Sequence, residues 1–364
     1  MKILYVTTVG STMHFFKTFV GDLIQKGHQV DIATNNSITS VPDVYQEMGC
    51  VVYPLSCSRN PLACGNLKAI GEIKKLVVQN GYDLVHCHTP IAAACTRLAC
   101  RSLRKKGVKV YYTAHGFHFF KGAPLKNWLI YYPVEKFCAH FTDMLITMNQ
   151  EDYALAKKSL RAKQVVYVPG VGIDLNKFGK STADKLEKRK ELGIPEGAPW
   201  LLNIGELIPR KNQETIIRAV SNIPNVYLTI AGRGPLDQYL KDLACELGVE
   251  DRVKVLGFRT DINDLCHSAD AYVFASFHEG LPVAVMESMA NGLPCVVSRI
   301  RGNVDLIDEK GGVLFNPHDA VDCQNAIQKL LSMDLKSLGD RNKTFIQDFS
   351  IENVMSYMYR FYNL

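Results

Sequence analysis

Two glutamates, Glu279 and Glu287, bracket the segment Phe277-His278-Glu279-Gly280-Leu281-Pro282-Val283-Ala284-Val285-Met286-Glu287. It follows an apolar stretch, Ala271–Ala275, that reads as a strand. Pro282 suits the first turn of a helix. Glu287 is therefore expected on that helix and Glu279 in the loop before it. Carboxylates at a strand's carboxyl edge can accept hydrogen bonds from sugar hydroxyls. Loop amides and a helix N-terminus beside them can hold phosphate. Spacing alone also permits a capping glutamate and a solvated one.

A second segment, Gly205-Glu206-Leu207-Ile208-Pro209-Arg210-Lys211-Asn212, again follows a strand. Arg210 and Lys211 at a helix start suit a diphosphate, or form a solvated basic turn. In Ala231-Gly232-Arg233-Gly234-Pro235, Gly232 and Gly234 permit close backbone approach, or serve a plain strand-to-helix turn. Gly10 opens the first helix and could admit a phosphate or sugar, although a lone glycine also makes an ordinary turn. His115 follows the strand Val108–Thr113, in a loop beside Gly116, where it offers a polar contact in a cleft. His86, His88, His115 and His118 raise the question of a metal cluster, but no carboxylate pattern supports one. Asp-x-Asp, the usual metal–diphosphate handle, is absent from the chain.

These residues need elements to hold them, and the chain supplies a βα rhythm. Strands are predicted at Ile3–Val9, Gln29–Ala33, Val51–Tyr53, Leu84–Cys87, Val108–Thr113, Met144–Thr147 and Val165–Val168. Phe15, Phe16, Phe19, Val20, Leu23 and Ile24 recur at helical spacing from Gly10-Ser11-Thr12 onward. Further helices are expected at Lys68–Gln79, Ile91–Arg104 and Lys180–Glu191. A second series has strands at Trp200–Ile204, Val226–Ala231, Val253–Leu256, Ala271–Ala275 and Pro294–Ser298. Both halves thus read as doubly wound α/β units, two Rossmann-like domains facing a cleft. Open parallel sheets bind ligands at their carboxyl ends. The boundary falls near Pro169-Gly170-Val171-Gly172, giving domains 1–174 and 175–349. The last helix, about 350–364, is expected to pack back onto the first domain.

Length and composition agree with two domains. The 364 residues are 47% hydrophobic and 21% charged, which excludes disordered and fibrous classes. The net charge of +6 is too small to indicate a nucleic-acid partner. Residues 1–175 carry 20 Lys/Arg against 11 Asp/Glu, and the remainder 22 against 25. A basic first half and a slightly acidic second half suit different partners, or reflect drift between solvated surfaces. The eleven cysteines form no pair at zinc or thioredoxin spacing, and several lie in apolar runs. They read as buried free thiols of a reducing compartment. The chain starts directly in a strand without a signal-peptide cleavage region. No apolar stretch reaches the roughly 18–20 residues that span a bilayer. A cytoplasmic protein is expected, or one peripheral on the inner face of the cell membrane.

Taken together, the segments resemble a retaining glycosyltransferase of family 4, with the GT-B fold of two Rossmann-like domains. Glu279 to Glu287 matches that family's Glu-x7-Glu motif. Gly205 to Lys211, Gly232-x-Gly234-Pro235 and Pro169 to Phe178, which is similar to the family's linker, add to it. The Thr-Val-Gly-Ser start and Ala114-His115-Gly116-Phe117-His118 look like the exopolysaccharide and capsule branch.

The resemblance implies roles. Glu279 would bind donor-sugar hydroxyls, Glu287 the nucleotide ribose and Lys211 the diphosphate. The family's arginine after the first glycine is replaced here by Glu206, with Arg210 as its substitute. Gly280 and Leu281-Pro282-Val283 would sit against the diphosphate, Phe258 near the base, and His115 at the donor sugar or reacting centre. No cofactor or metal is implied. Closure of the domains would exclude water. The implied reaction moves a hexose or N-acetylhexosamine from a nucleoside diphosphate sugar, a UDP-sugar by preference, to a saccharide or lipid-linked polysaccharide precursor. The cations Arg97, Arg101, Arg104, Lys105 and Lys106, and the segment Lys121–Tyr132, could rest on anionic lipid. Two other readings compete: a nucleotide-sugar epimerase or hydrolase on the same fold, and a non-catalytic nucleotide-sugar-binding subunit.

Overall fold

Long runs of β-branched and aromatic residues alternate with amphipathic stretches, and each run becomes one strand of a parallel sheet. The computed structural model describes all 364 residues. Two compact units result, Met1–Val171 and Gly172–Leu364. The first holds β1 (Lys2–Val9), β2 (Gln29–Asn35), β3 (Val52–Pro54), β4 (Leu84–His88), β5 (Lys109–Ala114), β6 (Met144–Thr147) and β7 (Gln164–Tyr167). The second holds β8 (Trp200–Ile204), β9 (Tyr227–Ala231), β10 (Val253–Gly257), β11 (Ala271–Phe274), β12 (Cys295–Ser298) and β13 (Gly312–Phe315).

All strand pairs are parallel. The orders are β3-β2-β1-β4-β5-β6-β7 and β10-β9-β8-β11-β12-β13. Each sheet therefore reverses direction once, between β1 and β4 and between β8 and β11. Crossover helices leave these two points in opposite directions, which opens a crevice at the strands' carboxyl ends. Helices cover both faces of each sheet, so central strands such as Tyr5, Val85, Leu201 and Val273 are wholly buried.

Several boundaries depart from the sequence reading for identifiable reasons. The first helix does not run from Gly10. A 3₁₀ turn occupies Gly10–Phe15, and the α-helix begins at Lys17. Gly10 is pinned by its amide on the Thr39 carbonyl, and a Cβ there would lie 2.5 Å from that oxygen. The charged helix starts at Lys185, because the Asp184 carboxylate caps the amides of Leu186 and Glu187. The edge strand β13 was not anticipated; its short Gly-Gly-led run carries little strand signal. A Cβ on Gly312 would meet the Cys295 carbonyl oxygen at 1.9 Å, so glycine is required for this pairing.

One correction concerns charge. Arg97 is not a surface cation. It is buried and forms a two-point bond with buried Glu135, at 2.7 and 3.0 Å. Arg104 likewise engages Asp143 through two nitrogens. Only Arg101, Lys105 and Lys106 of that run remain exposed without a partner. All eleven cysteines are free and nine are buried. No helix is long and apolar enough to cross a membrane.

Candidate active site

In the second unit, the loops after β8, β11 and β12 converge on one carboxylate. The β8 loop ends in a short 3₁₀ turn, Pro209–Lys211, closed by Asn212 in the left-handed region at φ 55°. Asn212 holds that conformation because its side-chain amide donates to the Ala275 and Pro317 carbonyls. The turn presents Arg210 and Lys211 to Glu279. Arg210 Nη1 lies 2.6 Å from Glu279 Oε1, and Lys211 Nζ 2.8 Å from the same atom. Ser276 Oγ approaches that oxygen at 2.7 Å as well. Glu279 Oε2 takes no hydrogen bond from the protein. Burial by itself would raise the Glu279 carboxyl. The Lys211 and Arg210 charges, with hydrogen bonds from Lys211 and Ser276, outweigh it and hold the group below the usual glutamate range.

Two further groups complete the pocket. Arg301, in the loop after β12, donates from Nε to the Glu279 carbonyl at 3.0 Å. Sequence reasoning missed this residue, though an Arg-Gly pair just after a strand was the available signal. The helix Val283–Ala290 starts after Pro282, with Gly280 and Leu281 in its approach. Gly302, at φ 78°, lies against this approach, where a Cβ would come within 2.3 Å of the Gly280 oxygen. Glu287 lies one turn along that helix, and its carboxylate has no hydrogen-bond partner in the protein. Burial pushes it up to about 7, with Lys177 pulling the other way.

Gly232 and Gly234 serve the loop geometry directly. Cβ atoms there would meet the Gly205 and Leu207 carbonyl oxygens at 1.8 and 2.4 Å. The two glycines therefore let the β9 loop press against the β8 loop that carries Arg210 and Lys211. Phe258 is 65% exposed, with the Arg233 guanidinium 5.0 Å from its ring centre. Glu206, which stands where an arginine was expected, is exposed and has no side-chain partner.

In the first unit, His115 follows β5 and is half-buried. It pairs through Nε2 with His88 Nδ1 at 3.1 Å. His86 is tied to Thr113 instead, at 2.7 Å. His88 is buried and its Nε2 has no partner. An orphaned buried N–H costs more than a bare ring lone pair. The His88 proton therefore sits on Nδ1 and is donated to His115. His115 must then carry its own proton on Nδ1, an atom with no partner in the protein. Burial keeps these rings neutral, pushing His86 down to about 3 and His115 to about 4. His118, by contrast, is exposed, with its ring tilted against Tyr131 at 4.5 Å.

A cavity of about 260 Å³ opens at the carboxyl ends of β1 and β4. Thr8, Thr12, Arg59, Thr89 and His118 supply its polar lining. Thr89 adopts φ 63°, unusual for a β-branched residue, and its hydroxyl contacts the Thr8 amide at 3.0 Å. Thr8 and Thr12 belong to the Thr-Val-Gly-Ser start and the turn after it, and His118 was raised only as part of a possible metal cluster, whereas Arg59 and Thr89 carried no signal in the sequence. Gly10 leads out of the same strand but packs against residues 39–41.

Two Rossmann-like sheets, with a carboxylate, cations and a helix N-terminus gathered at the switch point of the second, define a glycosyltransferase of the GT-B fold. Comparison with known proteins agrees. The family described as "Glycosyl transferases group 1" matches residues 184–346, and "Glycosyl transferase 4-like" matches residues 2–149. EpsD of Bacillus subtilis (strain 168), assigned by name to the glycosyltransferases, is 37% identical over 341 residues, covering 90% of this chain and 87% of that protein. The UDP-Gal:alpha-D-GlcNAc-diphosphoundecaprenol alpha-1,3-galactosyltransferase of Escherichia coli is 30% identical, covering 80% of this chain and 79% of that one. The crystal structure of Anabaena HepE in complex with UDP superposes with a TM-score of 0.82 at 20% identity, covering both chains fully. Sucrose-phosphate synthase from Thermosynechococcus elongatus gives 0.80 at 22% identity, covering 100% of this chain and 98% of that one. The chain belongs to the family 4 glycosyltransferases, and its relatives include the lipopolysaccharide core biosynthesis glycosyltransferase LpsE of Rhizobium meliloti (strain 1021), 31% identical over 46% of this chain and 50% of that one.

Proposed function

We propose that this enzyme moves a hexose or N-acetylhexosamine from a UDP-sugar to a polysaccharide precursor carried on a polyprenyl diphosphate. Retention of anomeric configuration and independence from a metal ion are part of the reading. The observation that carries it is the asymmetry of Glu279. One oxygen absorbs Arg210, Lys211 and Ser276, and the other is left open for sugar hydroxyls. Further support comes from the E. coli relative, named for UDP-Gal and a diphosphoundecaprenol acceptor, and from HepE, crystallised with UDP.

Breaking the sugar–phosphate bond leaves positive charge on the anomeric carbon and negative charge on the departing diphosphate. Lys211, Arg210 and the N-terminus of the helix Val283–Ala290 hold that negative charge, with Gly280 to Val283 lying along the diphosphate. The acceptor oxygen bonds to the anomeric carbon on the face from which the diphosphate leaves. The acceptor's proton passes to the departing phosphate oxygen. Glu287 accepts the ribose hydroxyls, and the exposed Phe258 ring offers the base a stacking surface. His115 donates Nδ1–H to the sugar. The enzyme works at the inner face of the cell membrane, where its acceptor's chain is embedded.

A thermal-shift panel of UDP- and GDP-sugars tests the donor assignment, because a ligand that binds only the folded state stabilises it. UDP-sugars are expected to raise Tm in the wild type and to lose much of that effect in Lys211→Ala. An unchanged Tm with every UDP-sugar counts against the reading.

A further inference from the structure

Beside the polar cavity of the first unit lies a second, apolar one of about 190 Å³. Its walls come from the helices Gly65–Asn80, Pro90–Cys100 and Leu125–Ala139. Leu67, Ile70, Ala94, Leu98, Ile130 and Val134 line it. Its only charged wall residue, Glu135, is neutralised by buried Arg97. Pro90, Ile91 and Tyr131 line both cavities, so the two adjoin.

The mouth of the groove is unusually apolar for a water-facing surface. Leu67 is 75% exposed, Ile130 48% and Val134 45%. Leu62, Leu125 and Leu129 stand exposed nearby in the chain. Exposed apolar side chains at the mouth of an apolar cavity suit a binding site. The adjoining polar cavity has the opposite character. It contains no carboxylate, holds Arg59, and lies at the N-terminus of the helix Pro90–Cys100. An anionic head group suits that end. The pair of cavities thus matches a molecule that is anionic at one end and hydrocarbon at the other.

We infer that the groove between these three helices binds the hydrocarbon chain of the lipid-linked acceptor, next to a diphosphate and saccharide held in the polar cavity. The inference rests on the acceptor assigned above. It adds a second binding site to the enzyme, one that reads the lipid rather than the sugar. Burying each methylene of the chain favours binding by about 0.8 kcal/mol, or roughly fourfold in affinity. A chain that enters the groove by several carbons should therefore lower the acceptor KM strongly.

Two readouts test this. The first compares acceptors that share one saccharide diphosphate but carry a long polyprenyl or a short alkyl chain. Wild type is expected to show a KM at least tenfold lower for the long chain. Val134→Asp and Leu67→Glu should each erase that preference while leaving turnover of the short acceptor unchanged. Both sites are substantially exposed, and an unchanged UDP-induced Tm shift verifies folding. The second readout is binding of polyprenyl phosphate, without saccharide, by native mass spectrometry from detergent. Wild type should bind and both variants should lose at least tenfold. If binding follows this pattern while no lipid-linked saccharide is extended, the acceptor reading falls and the groove stands. Equal binding by wild type and variants, or none by wild type, overturns the groove. So does concentration-dependent dimerisation that the variants abolish without changing chain preference, which would assign the surface to a second copy.

Discussion

Lys211 Nζ lies 2.8 Å from Glu279 Oε1, and the contact fills that oxygen while leaving Oε2 open. Both side chains are largely buried, at 13% and 12% exposure, so the pair is held rather than floating. The lysine serves the carboxylate in the unliganded protein, and on the donor assignment proposed above it would be released in part to the diphosphate. This arrangement separates two functions. Glu279→Ala should reduce transfer at least tenfold, on the order of 1.4 kcal/mol, while UDP affinity persists because Arg210 and Lys211 remain. Lys211→Ala should reduce both. Steady-state kinetics alongside UDP titration distinguish them. Wild-type transfer in both variants would remove the site assignment.

Glu287 gives donor binding a pH dependence with a definite sign. Ribose hydroxyls are donors and need the carboxylate form. In the unliganded protein burial pushes this group up to about 7, so below that value a proton must leave before the donor binds. UDP-sugar affinity should fall as pH drops below about 7, approaching tenfold per pH unit. A UDP-sugar is the correct probe because its diphosphate does not titrate there. Glu287→Gln should flatten the dependence, as isothermal titration at several pH values can check. The unliganded fold responds in the opposite sense. Between the ordinary glutamate value and about 7 the folded chain keeps a proton that the unfolded chain has lost, so stability declines as pH rises through that window.

His115 should act on transfer and not on nucleotide binding. Its ring is held neutral down to about 4, so it contributes no inflection to the rate between pH 5 and 8. His115→Ala should cut kcat at least tenfold and leave the UDP-induced Tm shift intact. His88→Phe keeps the ring packing but removes the hydrogen bond that sets the His115 tautomer, and should lower kcat by a smaller factor. An unchanged kcat in both variants contradicts the role given to the pair.

The buried pair Arg97–Glu135 predicts a stability effect away from chemistry. Removing one partner strands the other charge in the interior. Glu135→Ala should cost about 3–5 kcal/mol in denaturant unfolding, whereas the double replacement Arg97→Met with Glu135→Leu should cost much less. A single-variant loss below that of the double replacement would contradict the pairing.

Much of the candidate site around Glu279 was legible because its residues follow strands closely. Glu279 sits five residues after β11, and Arg210 and Lys211 lie shortly after β8, so parallel-sheet topology alone gathers them at one edge. Other features depend on contacts that a linear pattern does not encode. Arg301 reaches the Glu279 backbone from a different loop, and His88 hydrogen-bonds His115 across 27 residues. Arg97 looked like one cation of an exposed run because its partner lies 38 residues away on another helix. Gly232 and Gly234 were read as permitting close backbone approach, and Gly10 as room for a phosphate or sugar. Gly10, Gly232 and Gly234, however, make room for neighbouring backbone within the protein, which only the packed structure could reveal.

The most direct test of the central claim is UDP release from a UDP-sugar with and without a lipid-linked saccharide, following the saccharide by mass spectrometry and the new anomeric centre by NMR. The account predicts that UDP appears only with acceptor, in step with a product one sugar longer whose linkage keeps the donor's anomeric configuration. UDP or free sugar released at the same rate without acceptor, or an inverted linkage, would contradict it.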